Sequence, residues 1–260
     1  MRITTLGDLL LDVIVRLEGP LVAGDDQVAE TRTGAGGQAA NVAAWASHLG
    51  AEARYVGKLG DDAAGALVAA ELAGYGVEVA GPRGGRTGVV VSLASAGDRS
   101  MASDRGAAVE LAAQELEPAW FDADVLHVSG YSLLREPLAS AAARAAELAR
   151  ERAAQVAVDV SSWTLVDDPF RTRLRAIAPD LVFASDRERQ AVGELDTRWV
   201  LKRGAAGLSV DGRDYPAVEV AVVDTTGAGD ALAAGFLVGG PELGLEAAAR
   251  CCTKLGAMPC

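Results

Sequence analysis

The chain of 260 residues carries 36 acidic and 24 basic residues, a net charge of −12, and 50% of it is hydrophobic. Such a composition excludes a disordered chain, and the excess of negative charge disfavours a general affinity for nucleic acid or for an anionic membrane surface. The length suits one large α/β domain or one and a half smaller ones, and an anionic ligand would need positive groups gathered locally.

The opening residues, Met1 to Asp8, predict a short strand over Ile3–Leu6 and do not make a secretory signal. An apolar run from Leu9 to Leu17 follows, broken by Asp12 and Arg16. Asp12 reads two ways: a carboxylate at a sheet edge facing water, or one aimed at a polar ligand. Val13, Val15 and Leu17 alternate with Ile14, Arg16 and Glu18, the period of a strand that leaves the main core for a separate small sheet. Polar residues from Gly24 to Thr33 predict a turn and another exposed strand.

Gly34-Ala35-Gly36-Gly37-Gln38-Ala39-Ala40-Asn41 precedes Val42, Ala43, Ala46 and Leu49 at helical spacing, so a glycine loop opens a helix. Gly34, Gly36 and Ala39 fit a relaxed dinucleotide fingerprint. That motif requires an apolar strand just before it, and Ala29 to Thr33 is too polar, which counts against an NAD(P) oxidoreductase. The glycines instead let the backbone approach a small polar ligand. Asn41 then offers a donor and an acceptor from the first helical turn, or else helps to cap the helix.

Ala53–Val56 predicts a strand, 57–62 a loop, Ala63–Leu72 a helix and 74–77 a turn. Gly88–Ala94 and Arg99–Ala102 predict an exposed hairpin about the turn Ser95-Ala96-Gly97-Asp98, closed by Arg105-Gly106. Arg105 on its own is expected in solvent rather than on a ligand. From Val125 onward, strands at 125–128, 156–160, 181–184 and 198–202 alternate with helices at 137–153, 169–176 and 187–192. Repeated alternation of this kind marks a parallel sheet covered on both faces. Gly204-Ala205-Ala206-Gly207 is a small-residue turn, and Leu208–Val210 with Tyr215 forms a hairpin.

Val220, Val222 and Val223 predict an apolar strand leading into Asp224-Thr225-Thr226-Gly227-Ala228-Gly229-Asp230. Ala231, Leu232, Ala234, Phe236 and Leu237 lead out as a helix. Gly227 to Gly229 therefore sit where free N–H groups and the positive end of the helix dipole face outward, which suits a phosphate or a developing negative charge. Asp230, one residue inside, either favours the dipole of a plain glycine turn or accepts a proton beside a bound phosphate. A last helix is expected over Leu245–Leu255. The three cysteines, Cys251, Cys252 and Cys260, make neither a metal-spaced cluster nor an even disulfide set. With no run of membrane-span length, these features predict a soluble cytoplasmic protein.

Residues 36–43, 49–51 and 56–65 together, and Asp224–Asp230 after them, resemble the two motifs of the ribokinase family of carbohydrate kinases, also called the PfkB family. The resemblance covers nearly the whole chain. It implies a doubly wound, mostly parallel α/β sheet with helices on both faces, residues 1–260 forming one ribokinase-like domain, and a small β lid built from about 12–33 and 87–105. The roles it implies are specific. Asp230 takes the proton from a primary alcohol, and Gly227, Ala228 and Gly229 form the anion hole around the transferred phosphoryl group. Asp12, Gly36, Gly37 and Asn41 lie on the sugar. Lys202, Gly204, Ala205, Gly207 and Thr225 lie along ATP, and Glu188 organises Mg2+ through water. A monovalent cation and a homodimer through the lid are compatible with the family.

The chain departs from the family's pattern in three places. Ser185 replaces the asparagine of the motif that holds Glu188, and Gln38 stands where ribokinases proper have lysine, which weakens a claim for ribose. The family's usual C-terminal extension is expected to be missing after Lys254-Leu255-Gly256-Ala257, and Cys252 and Thr253 are expected to pack the last helix rather than to line a base pocket. An ATP-dependent sugar kinase is the leading expectation, and the alternatives are a nucleoside kinase for adenosine or pseudouridine and a non-catalytic sugar- or nucleotide-binding regulator. The segments 12–33 and 87–105 contain no Phe, Trp or Tyr to wall a nucleoside base, which leans towards a plain sugar. No Gly-Lys-Ser/Thr phosphate loop is present, which excludes a P-loop kinase.

Overall fold

The computed structural model describes residues 1–95 and 98–260, so the expected turn at 95–98 lies partly outside the described residues. Two sheets organise the chain. The larger is built from β1 (Arg2–Leu6), β4 (Glu52–Val56), β5 (Glu78–Ala80), β8 (Val125–Ser129), β9 (Gln155–Asp159), β10 (Leu181–Ser185), β11 (Arg198–Lys202), β12 (Leu208–Val210) and β13 (Arg213–Tyr215). Its order is β13-β12-β11-β10-β9-β8-β1-β4-β5, parallel from β11 through to β5, with only β12 and β13 antiparallel. The smaller has the order β3-β2-β6-β7, from β2 (Leu10–Leu17), β3 (Ala29–Gly36), β6 (Thr87–Ser95) and β7 (Asp98–Gly106).

The parallel strands need crossovers, and helices supply them on both faces. On one face Ile3, Tyr55, Phe183 and Val200 pack against α1 (Gln38–His48), α6 (Ala228–Gly239) and α7 (Pro241–Cys252), with Trp45 and Ala231 fully buried. On the other face Leu6, Val128, Val158 and Val182 pack against α3 (Leu138–Arg150) and α4 (Asp168–Ile177). The alanines of α3 explain its fit. Ala141, Ala142, Ala145 and Ala149 are all buried, and their small side chains let the helix lie close to the sheet. α2 (Ala63–Gly74) starts on Asp62, whose carboxylate accepts from Gly65 N–H at 2.8 Å, and α5 (Asp186–Val192) starts on Ser185.

Three elements differ from the sequence reading. Gly34–Gly36 is the end of strand β3 rather than a loop, because those residues pair with Leu10–Asp12 of β2. The residues at 220–223 form no strand. Val222 and Val223 are 61% and 57% exposed and have no neighbouring strand to pair with, so the glycine motif is entered from an open segment. The last helix spans 241–252, started by Pro241 in its first turn, rather than 245–255.

Candidate active site

The C-terminal ends of the parallel strands are where the sheet's polar side chains collect, the usual place for a site in an open α/β sheet. Two helices begin there on glycines, α1 after Gly37 and α6 after Gly227, and the two helices pack against each other. Gly37 has φ 103° and Gly227 has φ 76°, both left-handed. A Cβ at Gly37 would stand 2.5 Å from the Asp8 carbonyl oxygen, and one at Gly227 would stand 2.6 Å from the Ala257 Cα. Each glycine is thus required both by its conformation and by the close passage of another segment.

The two helices meet through chemistry as well as packing. Asn41 Nδ2 donates to Asp230 Oδ2 at 2.7 Å, joining the first turns of α1 and α6. Asn41 is buried and its Oδ1 has no partner, so its place is not that of a helix cap. Burial pushes the Asp230 carboxyl up to about 7, opposed by the Asn41 hydrogen bond and reinforced by the negative charge of Asp159. A carboxyl poised there is suited to accept a proton at neutral pH. Asp224 shapes the loop before α6. Its Oδ1 accepts from Thr226 N–H at 2.9 Å and Thr226 Oγ at 2.6 Å, and its Oδ2 accepts from Gly256 N–H at 3.0 Å.

Lys202, at the end of β11, lies beside this helix start, its Nζ 3.6 Å from where a Cβ on Gly229 would be. It forms an ion pair with Asp159 at 2.6 Å, and the carboxylate is fully buried. Burial alone would lower the lysine pKa, but the Asp159 and Glu188 charges outweigh it and the net direction is upward, so Lys202 stays an ammonium. Gly204 and Ala205 are exposed in a short turn after β11, Gly207 closes that turn, and Thr225 is exposed before α6. Glu188 is buried in the first turn of α5, where its Oε2 accepts from Ser185 N–H at 2.7 Å while Ser185 Oγ accepts from Glu188 N–H at 3.3 Å. That reciprocal cap gives Ser185 and Glu188 a structural task of their own.

On the other side, Asp12 sits on β2 opposite Gly34 and Val90. Its carboxylate lies over Gly36, where any Cβ would collide with it, and it lines a cleft shared with Ile14, Gly34, Lys254 and Gly256. Arg105 corrects the expectation of a solvent-exposed side chain. From β7 it forms an ion pair with the buried Asp8, two residues past the end of β1, and stacks on the Tyr131 ring at 3.8 Å. Asp8 Oδ1 is buried and has no protein partner. Segments 12–33 and 87–105 hold no aromatic residue, but Tyr131 supplies a ring beside Asp8 and Arg105. The ring comes from the turn Gly130–Leu133 after β8 rather than from the small sheet.

Sequence reasoning missed Asp8, Tyr131, Asp159 and Ser161. Asp159 had a legible signal, a carboxylate closing the apolar strand Val156–Val158, which is the same signal that singled out Asp12. Ser161 had none, since its left-handed φ of 74° is visible only in the fold. His127 lies fully buried on the same sheet face as Asp159 and has neither ring nitrogen paired; burial lowers it to about 4, so it is neutral. Among the described residues no group of three His, Cys, Asp or Glu is arranged to hold a metal ion, and no helix is long and apolar enough to cross a membrane.

Comparison with known proteins agrees with this arrangement. Residues 2–260 match the pfkB family carbohydrate kinases. Fructokinase-1 of Zea mays is 31% identical over 267 residues, covering 90% of this chain and 81% of its own. An ATP-dependent ribose-1-phosphate kinase of Halopiger xanaduensis is 31% identical over 276 residues, covering 96% and 90%. Among solved structures, adenosine kinase from Sinorhizobium meliloti superposes with a TM-score of 0.84 at 26% identity, covering 99% of this chain and 95% of that one. Ribokinase from Thermotoga maritima, at 20% identity, shares the fold with a TM-score of 0.79 over 99% of this chain and 95% of that one. A match over nearly the full length, together with two glycine-started helices joined through Asn41 and Asp230, places the chain in the pfkB family of carbohydrate kinases.

Proposed function

We propose that this protein transfers the γ-phosphoryl group of ATP to a primary hydroxyl of a small sugar. The observation that carries the reading is the 2.7 Å hydrogen bond from Asn41 to Asp230, which sets an acceptor-side helix against the carboxyl best placed to be the base. Asp230, with its pKa near that of a neutral solution, accepts the hydroxyl proton as the new O–P bond forms. The N–H groups of Gly227 and Gly229, joined by Ala228, whose N–H also reaches the Thr225 carbonyl at 3.2 Å, stabilise charge on the phosphoryl oxygens, and the Lys202 ammonium beside Gly229 adds a full positive charge. Gly204, Ala205, Gly207 and Thr225 line the path of the nucleotide. Asp12, Gly36, Gly37 and Asn41 take the sugar hydroxyls.

Glu188 offers the hard carboxylate oxygen that Mg2+ prefers, and with one oxygen committed to Ser185 it suits contact through water better than a direct bond. Mg2+ supplies neutralisation of the triphosphate charge. The four-stranded sheet acts as a lid on a single domain spanning 1–260, tied down by Arg105 on Asp8. Val13, Val15 and Val91, set on one face of the lid by the pairing of β2 with β6, form the surface through which two copies would pair; Val91 is 37% exposed. The three free thiols accord with a cytoplasmic protein.

A second reading, a nucleoside kinase on the same scaffold, is favoured by one observation. Tyr131 presents a ring beside Asp8 and Arg105 against which a base could stack once the guanidinium moves aside. The experiment that separates these readings is an ADP-release assay with ATP and Mg2+, with and without K+, over a panel of ketoses, aldoses, sugar phosphates and nucleosides. Turnover with a sugar and not with nucleosides supports the first reading, the reverse supports the second, and ligand binding without turnover sinks both.

A further inference from the structure

Between the phosphate end and the acceptor end of the site runs a chain of polar contacts to which no role has been given. Asp159, fully buried at the end of β9, accepts from Lys202 Nζ at 2.8 and 2.6 Å and from the Ser161 N–H at 3.0 Å. Ser161 in turn directs its hydroxyl at Gln38 Oε1, 2.6 Å away, with the Asp159 carbonyl at 3.0 Å as the weaker alternative. Ser129, at the end of β8, donates to the same Gln38 oxygen at 2.6 Å. With Oε1 held twice, the Nε2 hydrogens are the donors that Gln38 has left for a ligand. Ser161 holds a left-handed φ of 74° that a residue with a Cβ adopts at a cost, and its two anchors, one on each side, are what sustain it.

We propose that Asp159 and Ser161 are positioning residues that join the two substrate sites, Asp159 fixing the Lys202 ammonium at the start of α6 and Ser161 fixing the Gln38 amide at the start of α1. Gln38 then reads an acceptor oxygen with its N–H groups, which selects a hydroxyl or carbonyl at that point and disfavours an ammonium. The inference rests on the kinase reading above. It adds that the acceptor and nucleotide sites share one rigid strut, so that damage at its centre is felt on both sides while damage at its ends is felt on one.

The test uses the full chain and the acceptor that the panel identifies. Ser161→Gly removes the hydroxyl and adopts the positive φ freely, so it keeps the fold even if Ser161→Ala does not. It is expected to raise the acceptor KM about tenfold, the loss of one well-made hydrogen bond to the reading group, with the KM for ATP within about twofold. Gln38→Ala should do the same, and the double variant should be no worse than Gln38→Ala alone, because Ser161 acts through Gln38. Asp159→Asn should raise both KM values about fivefold or more. Additive effects of Ser161→Gly and Gln38→Ala, or an acceptor KM that Ser161→Gly does not move, overturn the strut while leaving the kinase intact. A wild-type protein with no turnover on any acceptor overturns the kinase reading, and the strut with it.

Discussion

The two glycine-started helices look alike in sequence and differ in how their ends are used. The start of α1 is largely filled by the protein itself. Gly37 lies against the Asp8 carbonyl, and the Gln38 oxygen is held by Ser129 and Ser161. Asn41 keeps one buried oxygen unpaired there. The start of α6 also has protein contacts, Ala228 N–H on the Thr225 carbonyl and Ala257 against Gly227, but what sets it apart is small residues, a nearby ammonium and a carboxyl with a raised pKa. A helix end occupied by oriented side chains can discriminate between neutral groups, whereas an end left open beside a lysine can stabilise charge that appears only during reaction. Under the proposed function, α1 serves recognition and α6 serves the chemistry.

The largest effect is expected at α6. Asp230→Asn keeps the hydrogen bond from Asn41 but removes the proton acceptor, so kcat should fall by about 10²–10⁴-fold while circular dichroism and ATP binding stay as in the wild type. A variant that turns over near the wild-type rate would end the assignment of chemistry to this helix. The next effect is expected on the acceptor side. Arg105→Ala leaves Asp8 buried without its cation and frees the Tyr131 face, and the acceptor KM should rise by roughly 10-fold to 100-fold with a smaller change in kcat. If kcat collapsed instead and KM held, recognition and chemistry would not be divided as the two helices suggest.

The smallest effect concerns stability without ligand. Burial raises the Asp230 carboxyl to about 7, well above an ordinary aspartate near 4, so between about pH 4 and pH 7 the native state holds a proton that the unfolded chain has released. Stability must then fall as pH rises through that window. The loss across that window is on the order of a few kcal/mol. Asp230→Asn removes the titrating group, so urea melts should find the variant equal to wild type near pH 4 and more stable by about that amount at pH 8. Parallel curves for the two proteins would mean that Asp230 is ionised throughout, and the pH argument for its role as base would go.

Much of the large sheet was legible because buried parallel strands are continuous apolar runs and their crossover helices are amphipathic, so each is a local signal of adequate length. The small sheet was legible from the alternation at Val13 to Leu17. The segment at 220–223 misled for a physical reason. A run of valines favours extended backbone, but a strand exists only where a neighbour offers a ladder, and none does there. Arg105 misled for the converse reason, since a lone arginine in sequence carries no mark of the buried carboxylate that waits for it 97 residues away.

By itself the sequence determined the alternation of strands and helices, the two glycine junctions and the identity of the carboxyl at the second. These follow from local patterning, where each residue's neighbours in the chain are also its neighbours in space. Only the tertiary structure decided which groups face one another: Asn41 on Asp230, Arg105 on Asp8, and Asp159 between Lys202 and Ser161. Those contacts join residues brought together by the parallel sheet, whose crossovers carry distant strand ends to one edge. The raised pKa of Asp230 belongs to the same class, because burial, its largest cause, is a property of the assembled fold and of no segment alone.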